Sequence, residues 1–317
     1  MTADRVVVAG ASGFIGRSLV RELAGEGRSI IALTMDPDAA RRRLPETVSV
    51  VRWDGRTAGD WARFVEGARA VVNLSGDSLA KGRWTKAKKA RILDSRTRSG
   101  AALVEAVRRA SVKPRVFVQA SAVGFYGSPG ETEVDEGSPQ GEGFLAEVVR
   151  QWEASSREVE TLGVRRVVTR SGLVLGRGGG VWPSLARPIR FFAGGPLGSG
   201  RQWSSWIGIQ DEVRAMRFLI AREDLAGTFN LTAPGPLRQR ELCRIAARAL
   251  RRPCWIPVPA FVLRLLFGEK AGQTLLVSQR VLPRRLEAAG FVFHDPDAAA
   301  AVAALVRPGP RGGSLSG

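Results

Sequence analysis

The stretch RVVVAGASGFIGRSLVREL, Arg5–Leu23, decides the fold. Arg5 to Ala9 is a β-branched run that stops at Gly10, and Phe14, Ile15, Leu19, Val20 and Leu23 then recur at the spacing of a helix buried on one face. Strand, tight turn and helix follow one another directly. Gly10, Gly13 and Gly16 punctuate the turn as GxxGxxG. Lacking a Cβ, they permit a sharp reversal, close approach of backbone to a pyrophosphate, and close packing of helix on strand. The helix N-terminus adds unpaired N–H groups and the positive end of its dipole. The segment Gly10, Ser12, Gly13, Phe14, Ile15 and Gly16 therefore reads as a dinucleotide-binding turn.

Working outward, short apolar runs recur at Ile30–Leu33, Val48–Val51, Ala70–Leu74, Val116–Ala120 and Val164–Val168, with helical stretches between most of them. Strands alternating with helices predict βαβ units, hence a Rossmann-type doubly wound parallel sheet in an α/β protein. The rhythm changes after Arg170, with glycine-rich stretches at Gly176–Gly180 and Gly194–Gly200. A chain of 317 residues exceeds one ordinary core. The expected division is a nucleotide domain over 1–175, a smaller C-terminal α/β lobe over 176–306 and a disordered tail over 307–317. Helices are predicted at Ile209–Ala221, Arg238–Leu250, Pro259–Phe267 and Asp297–Val306.

Ligands of such sheets sit beyond the carboxyl ends of the strands. Asn73, Leu74, Ser75 and Gly76 end the fourth strand, Ala120 and Ser121 the fifth, and Met35 and Asp36 follow the second. An acid there would bind the ribose hydroxyls of NAD, whereas Arg41, Arg42 and Arg43 lie within reach of the NADP phosphate. The residues leave NADP or NAD open.

Two cysteines and one histidine exclude a zinc site or disulfide framework, so no metal is expected. No signal-peptide pattern and no apolar run of about 18 residues occurs, which predicts a cytoplasmic protein with no membrane span. The net charge is +18, but 42 of the 48 basic residues are arginines spread along the whole chain, as a coding bias would give. One stretch is denser: Lys81–Arg98 carries eight basic residues against Asp94 alone. It lacks the aromatic interleaving of a single-strand platform, so no specific nucleic-acid binding is expected. Nine acids between Glu131 and Glu160 are expected to answer it, which leaves a homodimer through this helix open.

The glycine spacing, NLSG at Asn73–Gly76 and SAVGFYG at Ser121–Gly127 resemble the extended short-chain dehydrogenases/reductases, the NAD-dependent epimerase/dehydratase superfamily. GRWTKAKKARILDSR (Gly82–Arg96), GGPLGSGRQWSSWI (Gly194–Ile207) and SQRVLPRRLEAAGFVF (Ser278–Phe293) are similar to an atypical branch with a C-terminal domain of unknown function. The resemblance implies an NAD(P)-dependent oxidoreductase or epimerase-like enzyme, with NADP slightly favoured. Two departures stand out. Relatives often carry arginine where Met35 stands, and the usual Tyr-x-x-x-Lys pair is missing from the helix GFLAEVVRQWE, Gly143–Glu153.

The expected roles follow. Ser121 orients the reacting oxygen, and Tyr126, the chain's one tyrosine, replaces the missing acid. Lys81 and Arg83 hold an anionic group of a small-molecule substrate, Trp84, Trp203 and Trp206 roof the pocket, and Gln202 joins the substrate site. Glu147 and Glu153 read as a solvated helix face. The missing pair keeps a second reading alive, a non-catalytic redox-sensing or scaffold protein.

Overall fold

Strands β1 (Arg5–Ala9), β2 (Ser29–Thr34), β3 (Ser49–Arg52), β4 (Ala70–Asn73) and β5 (Val116–Ala122) form where the apolar runs predicted them. Between them lie α1 (Phe14–Gly25), α2 (Pro37–Arg41) and α3 (Lys86–Arg109). The computed structural model describes residues 4–80 and 82–307, so Lys81 and most of the expected tail lie outside the described residues. The chain continues through β6 (Glu133–Val134), α4 (Phe144–Ala154), β7 (Arg165–Ser171), β8 (Leu173–Gly176), β9 (Gly179–Gly180) and α5 (Trp182–Arg190). Next come β10 (Trp203–Ser204), β11 (Trp206–Gly208), α6 (Ile209–Ala221), β12 (Gly227–Leu231), β13 (Leu237–Arg238) and α7 (Gln239–Leu250). The last elements are α8 (Ala260–Phe267), β14 (Arg280–Val281), α9 (Arg284–Ala288) and α10 (Ala298–Val306).

The central sheet has seven strands in the order β12-β7-β5-β4-β1-β2-β3, every pair parallel. Because side chains alternate across a strand, Val6 and Val8 join the core under α1 and α6, while Val7 and Ala9 join the core under α3. Burial on both faces explains why the runs read as continuously apolar.

The expected division at residue 175 needs correction. After the switch into the second lobe the chain returns: α6 packs on α1, and β12 pairs with β7 in the main sheet. Residues 209–231 thus complete the first layer, because β7 would otherwise leave a bare edge. Three predicted helices start one residue late, each at its cap. Arg238 caps α7 and Pro259 precedes α8, while Asp297 caps α10 by accepting from Ala299 and Ala300 N–H.

The second lobe has its own core, in which α5, α7 and α10 close around Trp206 and Leu175. Its C-terminal segment reaches back: β14 pairs with β6, and the Gln279 amide donates to the carbonyls of Val123 and Gly127. A cleft is thereby walled between the carboxyl edge of the sheet and the second lobe.

Candidate active site

The turn after β1 is shaped as a phosphate cradle. Gly10 has φ +78°, a left-handed conformation, and a Cβ on it would lie 2.7 Å from the Leu74 carbonyl oxygen. At Gly16 a Cβ would overlap the Gly10 carbonyl oxygen. Gly13 stands at the N-cap of α1, and no side chain caps that helix end. Its N–H groups and dipole thus face open space, the donor arrangement a pyrophosphate needs. Ser12 and Ile15 are half-exposed beside it. Phe14 does something else. Its ring fills the space above Gly176 and Gly179, where a Cβ would approach to 2.5 and 2.6 Å, and so ties α1 to the second lobe.

At the end of β4, buried Asn73 donates to Gln119 Oε1 at 3.1 Å and accepts from the Ser75 N–H at 3.2 Å, which fixes the Leu74–Gly76 turn beside the glycines. Ala120 is buried within β5. After β2, Met35 is exposed, and the Asp36 carboxylate caps α2 through the Ala39 N–H. Arg41 pairs with Asp38, while Arg42 and Arg43 are exposed.

The two expected catalytic residues point away from the cleft. Ser121 is only 4% exposed, and its hydroxyl donates to Glu153 Oε1 at 2.5 Å. Arg170 brackets the same carboxylate, with Nε at 2.8 Å and Nη2 at 3.0 Å. Glu153 is therefore part-buried and ion-paired rather than solvated, whereas Glu147 is exposed and paired with Arg150. Tyr126 is 2% exposed, donates to Asn230 Oδ1 and accepts from Arg170 Nη1. Burial pushes its phenol above the ordinary value, opposite to what a proton-transferring tyrosine needs. Both belong to one buried polar network joining β5, α4, β7 and β12. Strand alternation is the reason: with Ser121 turned to α4, it is Ala122 that faces the cleft.

That cleft holds a cavity of about 400 Å³. Ala122, Gly124, Leu145 and Val149 wall it from the sheet side, and Leu185, Ile189, Leu197, Val258 and Leu275 from the second lobe. Leu145 and Val149 stand four residues apart on α4 and are the side chains this helix turns to the cavity. Neither can move a proton. Among the described residues no lining side chain carries a charge, so none of them would hold an anionic group here. Arg83 is exposed and lines nothing, and Lys81 lies outside the described residues. Trp84 donates from its indole to the Leu79 carbonyl and packs edge-on against Phe144, so it props the rim. Gln202 holds the Leu197 and Leu275 carbonyls. Trp206 is fully buried and donates to Gly235, hence core rather than roof. Of the three tryptophans expected in the roof, Trp203 lines the cavity, its indole N–H on Glu131.

Of the basic stretch, Lys88 and Arg96 turn inward, while Arg83, Lys86, Arg91 and Arg98 are exposed. Lys88 is buried on Asp77 at 2.7 Å, Lys89 pairs with Glu269, and Arg96 lies buried under Gly76. Burial lowers the Arg96 guanidinium to about 10. The neutralising acids of Lys88 and Lys89 are thus Asp77 and Glu269, not the 131–160 segment.

One polar group of the cavity escaped the sequence reading. Ser171 ends β7 on its wall, and its hydroxyl lies 2.5 Å from Glu212 Oε1. Glu212 is fully buried and its Oε2 has no partner. Burial raises this carboxyl to about 8. The signal was present in the sequence: Ile209, Glu212, Val213 and Met216 share one helical stripe, and an acid amid apolar residues there is out of place.

Comparison with known proteins agrees with this geometry. The profile of the "NAD dependent epimerase/dehydratase family" matches residues 6–232, and that of a "Domain of unknown function (DUF1731)" matches residues 258–305. An Arabidopsis thaliana protein named "Epimerase family protein SDR39U1 homolog, chloroplastic" is 39% identical over 292 residues, covering 91% of this chain and 82% of its own. "Epimerase family protein ML0860" of Mycobacterium leprae is 37% identical, covering 91% of both. The crystal structure of human epimerase family protein SDR39U1 with NADPH superposes with a TM-score of 0.85 at 31% identity, over 95% of this chain and 99% of that one. The chain belongs to the NAD dependent epimerase/dehydratase family, in the atypical branch that carries the DUF1731 domain.

Proposed function

We propose that this protein is an NAD(P)-dependent oxidoreductase whose substrate is an uncharged, largely apolar small molecule. The observation that carries the reading is a shared edge: the glycine turn of β1 and the apolar cavity at Ala122 and Ser171 lie along the same carboxyl ends of one sheet. The NADPH of the human structure supports the cofactor class. A bound nicotinamide supplies or accepts hydride at that edge. The chain's own part is to bind, dry and protonate. The α1 N-terminus holds the pyrophosphate, and the second lobe excludes water around the substrate. In reduction of a polarised double bond, one carbon gains the hydride and the partner atom takes a proton from the Ser171 hydroxyl. Ser171 is reprotonated by Glu212, whose raised value keeps it protonated near neutral pH. The test is loss of reduced-nicotinamide absorbance against a panel of apolar carbonyls and enones. Turnover should fall about 100-fold or more in Ser171→Ala, the ordinary size of a lost proton transfer. Unchanged turnover in that variant would refute the role of Ser171.

A second reading, dinucleotide binding without turnover, is favoured by one observation. Leu145, Val149 and Ala122 occupy the cavity positions where this edge would otherwise present proton-transferring groups. Tight NADPH binding with no oxidation across the panel would support it.

A further inference from the structure

The outer side of the second lobe carries apolar side chains that none of the described residues covers. Phe191 and Phe192, just after α5, are exposed, the first at 74%; Trp255 is 68% exposed, and on α8 Phe261 and Leu265 reach 70% and 74%. These positions are continuous. The Trp255 indole donates to the Phe192 carbonyl, Leu197 bridges Val258, and Gly198 lies against Ala260. Helix α8 buries Leu263 alone, so most of an apolar helix faces outward.

The charge around this patch has one sign. Segments 182–193 and 251–268 contain Arg187, Arg190, Arg251, Arg252 and Arg264 and no acidic residue. All five are exposed, and none has a carboxylate within ion-pair distance among the described residues. Lys88, Lys89, Arg170 and Arg238, by contrast, are paired, so what marks this face is the lack of any acid beside its cations rather than unpaired arginine as such.

We infer that this face docks on an anionic lipid bilayer, inserting Phe191, Trp255, Phe261 and Leu265 at the level of the headgroups while the arginines engage lipid phosphates. An apolar surface rimmed by arginine, with aromatic rings at the boundary, is the composition of an interfacial anchor. A two-fold pairing of two copies through the same face would set five unpaired cations against five. Exposed Ile256, Leu265 and Leu266 among the rings favour acyl chains over stacked bases, and a single strand is an outcome of the test below. Helix α8 has eight residues, and no described helix is long and apolar enough to cross a membrane, so the contact lies on the surface. The same segments wall the cavity from behind through Ile189, Gly194 and Val258, which places the bilayer beside the apolar binding space. Docking rests on the patch and its charge, not on the hydride chemistry.

The test is co-sedimentation of the full chain with vesicles of phosphatidylcholine alone and of equimolar phosphatidylcholine and phosphatidylglycerol. Binding to the anionic vesicles should be at least about tenfold tighter and should weaken as salt rises. Two variants separate the contributions. Phe261→Ser/Leu265→Ser should lose binding at any salt, and Arg187→Gln/Arg252→Gln should lose the preference for anionic lipid, both with unchanged NADPH affinity and melting temperature as the check of folding. No binding to anionic vesicles, or binding that both variants retain, overturns the proposal. So does single-stranded DNA that binds through this face in place of lipid, or self-association of the wild-type chain that the first variant abolishes. Failure of turnover with intact docking would refute only the oxidoreductase reading.

Discussion

Glu212 is the residue at which burial and chemistry meet. Its folded-state value, raised to about 8 from an ordinary 4.5, means that the native state holds a proton the unfolded chain releases. Its contribution to stability is therefore complete below about pH 4.5 and is lost as pH rises toward about 8. Glu212→Gln removes the titration, so the melting temperature of the variant relative to wild type should climb between pH 5 and pH 8. A difference that stays flat over that window would show that the carboxyl is not buried as described. Asp36 governs the other open choice. Asp36→Asn keeps the α2 cap but removes a charge from the ribose side of the cradle. NADP(H) affinity should rise about tenfold relative to NAD(H), roughly 1.4 kcal/mol, in competition titrations; no change would place the 2′-phosphate elsewhere. At this scale the sequence was half legible. Gly10 and Gly16 declare themselves because a Cβ would collide with backbone there, and Gly13 completes the spacing of the turn. Ser121 and Tyr126 misled, because strand register and distant partners such as Glu153 and Asn230 decide where a side chain points.

Among elements, the joint between α4, β5 and β7 rests on Glu153, held by Arg170 and Ser121. Replacing Arg170 by methionine would leave that part-buried carboxylate without its cation, a loss of about 3 kcal/mol by denaturant unfolding. A loss under about 1 kcal/mol would mean that water reaches Glu153 in solution. The side chains that α4 turns to the cavity, Leu145 and Val149, are aliphatic. This much was legible beforehand, since neither tyrosine nor lysine occurs in Gly143–Glu153. The sequence could not show that Glu153, eight residues after Leu145, is part-buried and ion-paired, because an acid on an amphipathic helix reads as solvated until its partner on another strand is known.

For the whole molecule, alternation of apolar runs and helices made the parallel sheet readable, whereas the return of residues 209–231 to that sheet was not. Nothing local distinguishes β12 from a strand of the second lobe; its place is set by the open edge of β7. The account as a whole stands on the glycine turn as the cofactor site. Gly13 is the cleanest probe, since its φ of −70° suits any residue, and a Cβ there would approach only the Gly10 carbonyl oxygen, at 3.1 Å. Calorimetric titration of NADPH into wild type and Gly13→Val measures it directly. Wild type should bind one equivalent, and the variant, melting within a few degrees of wild type, should bind at least about 100-fold more weakly, roughly 2.7 kcal/mol. Equal affinity in a folded variant, or no binding by wild type, would contradict the assignment.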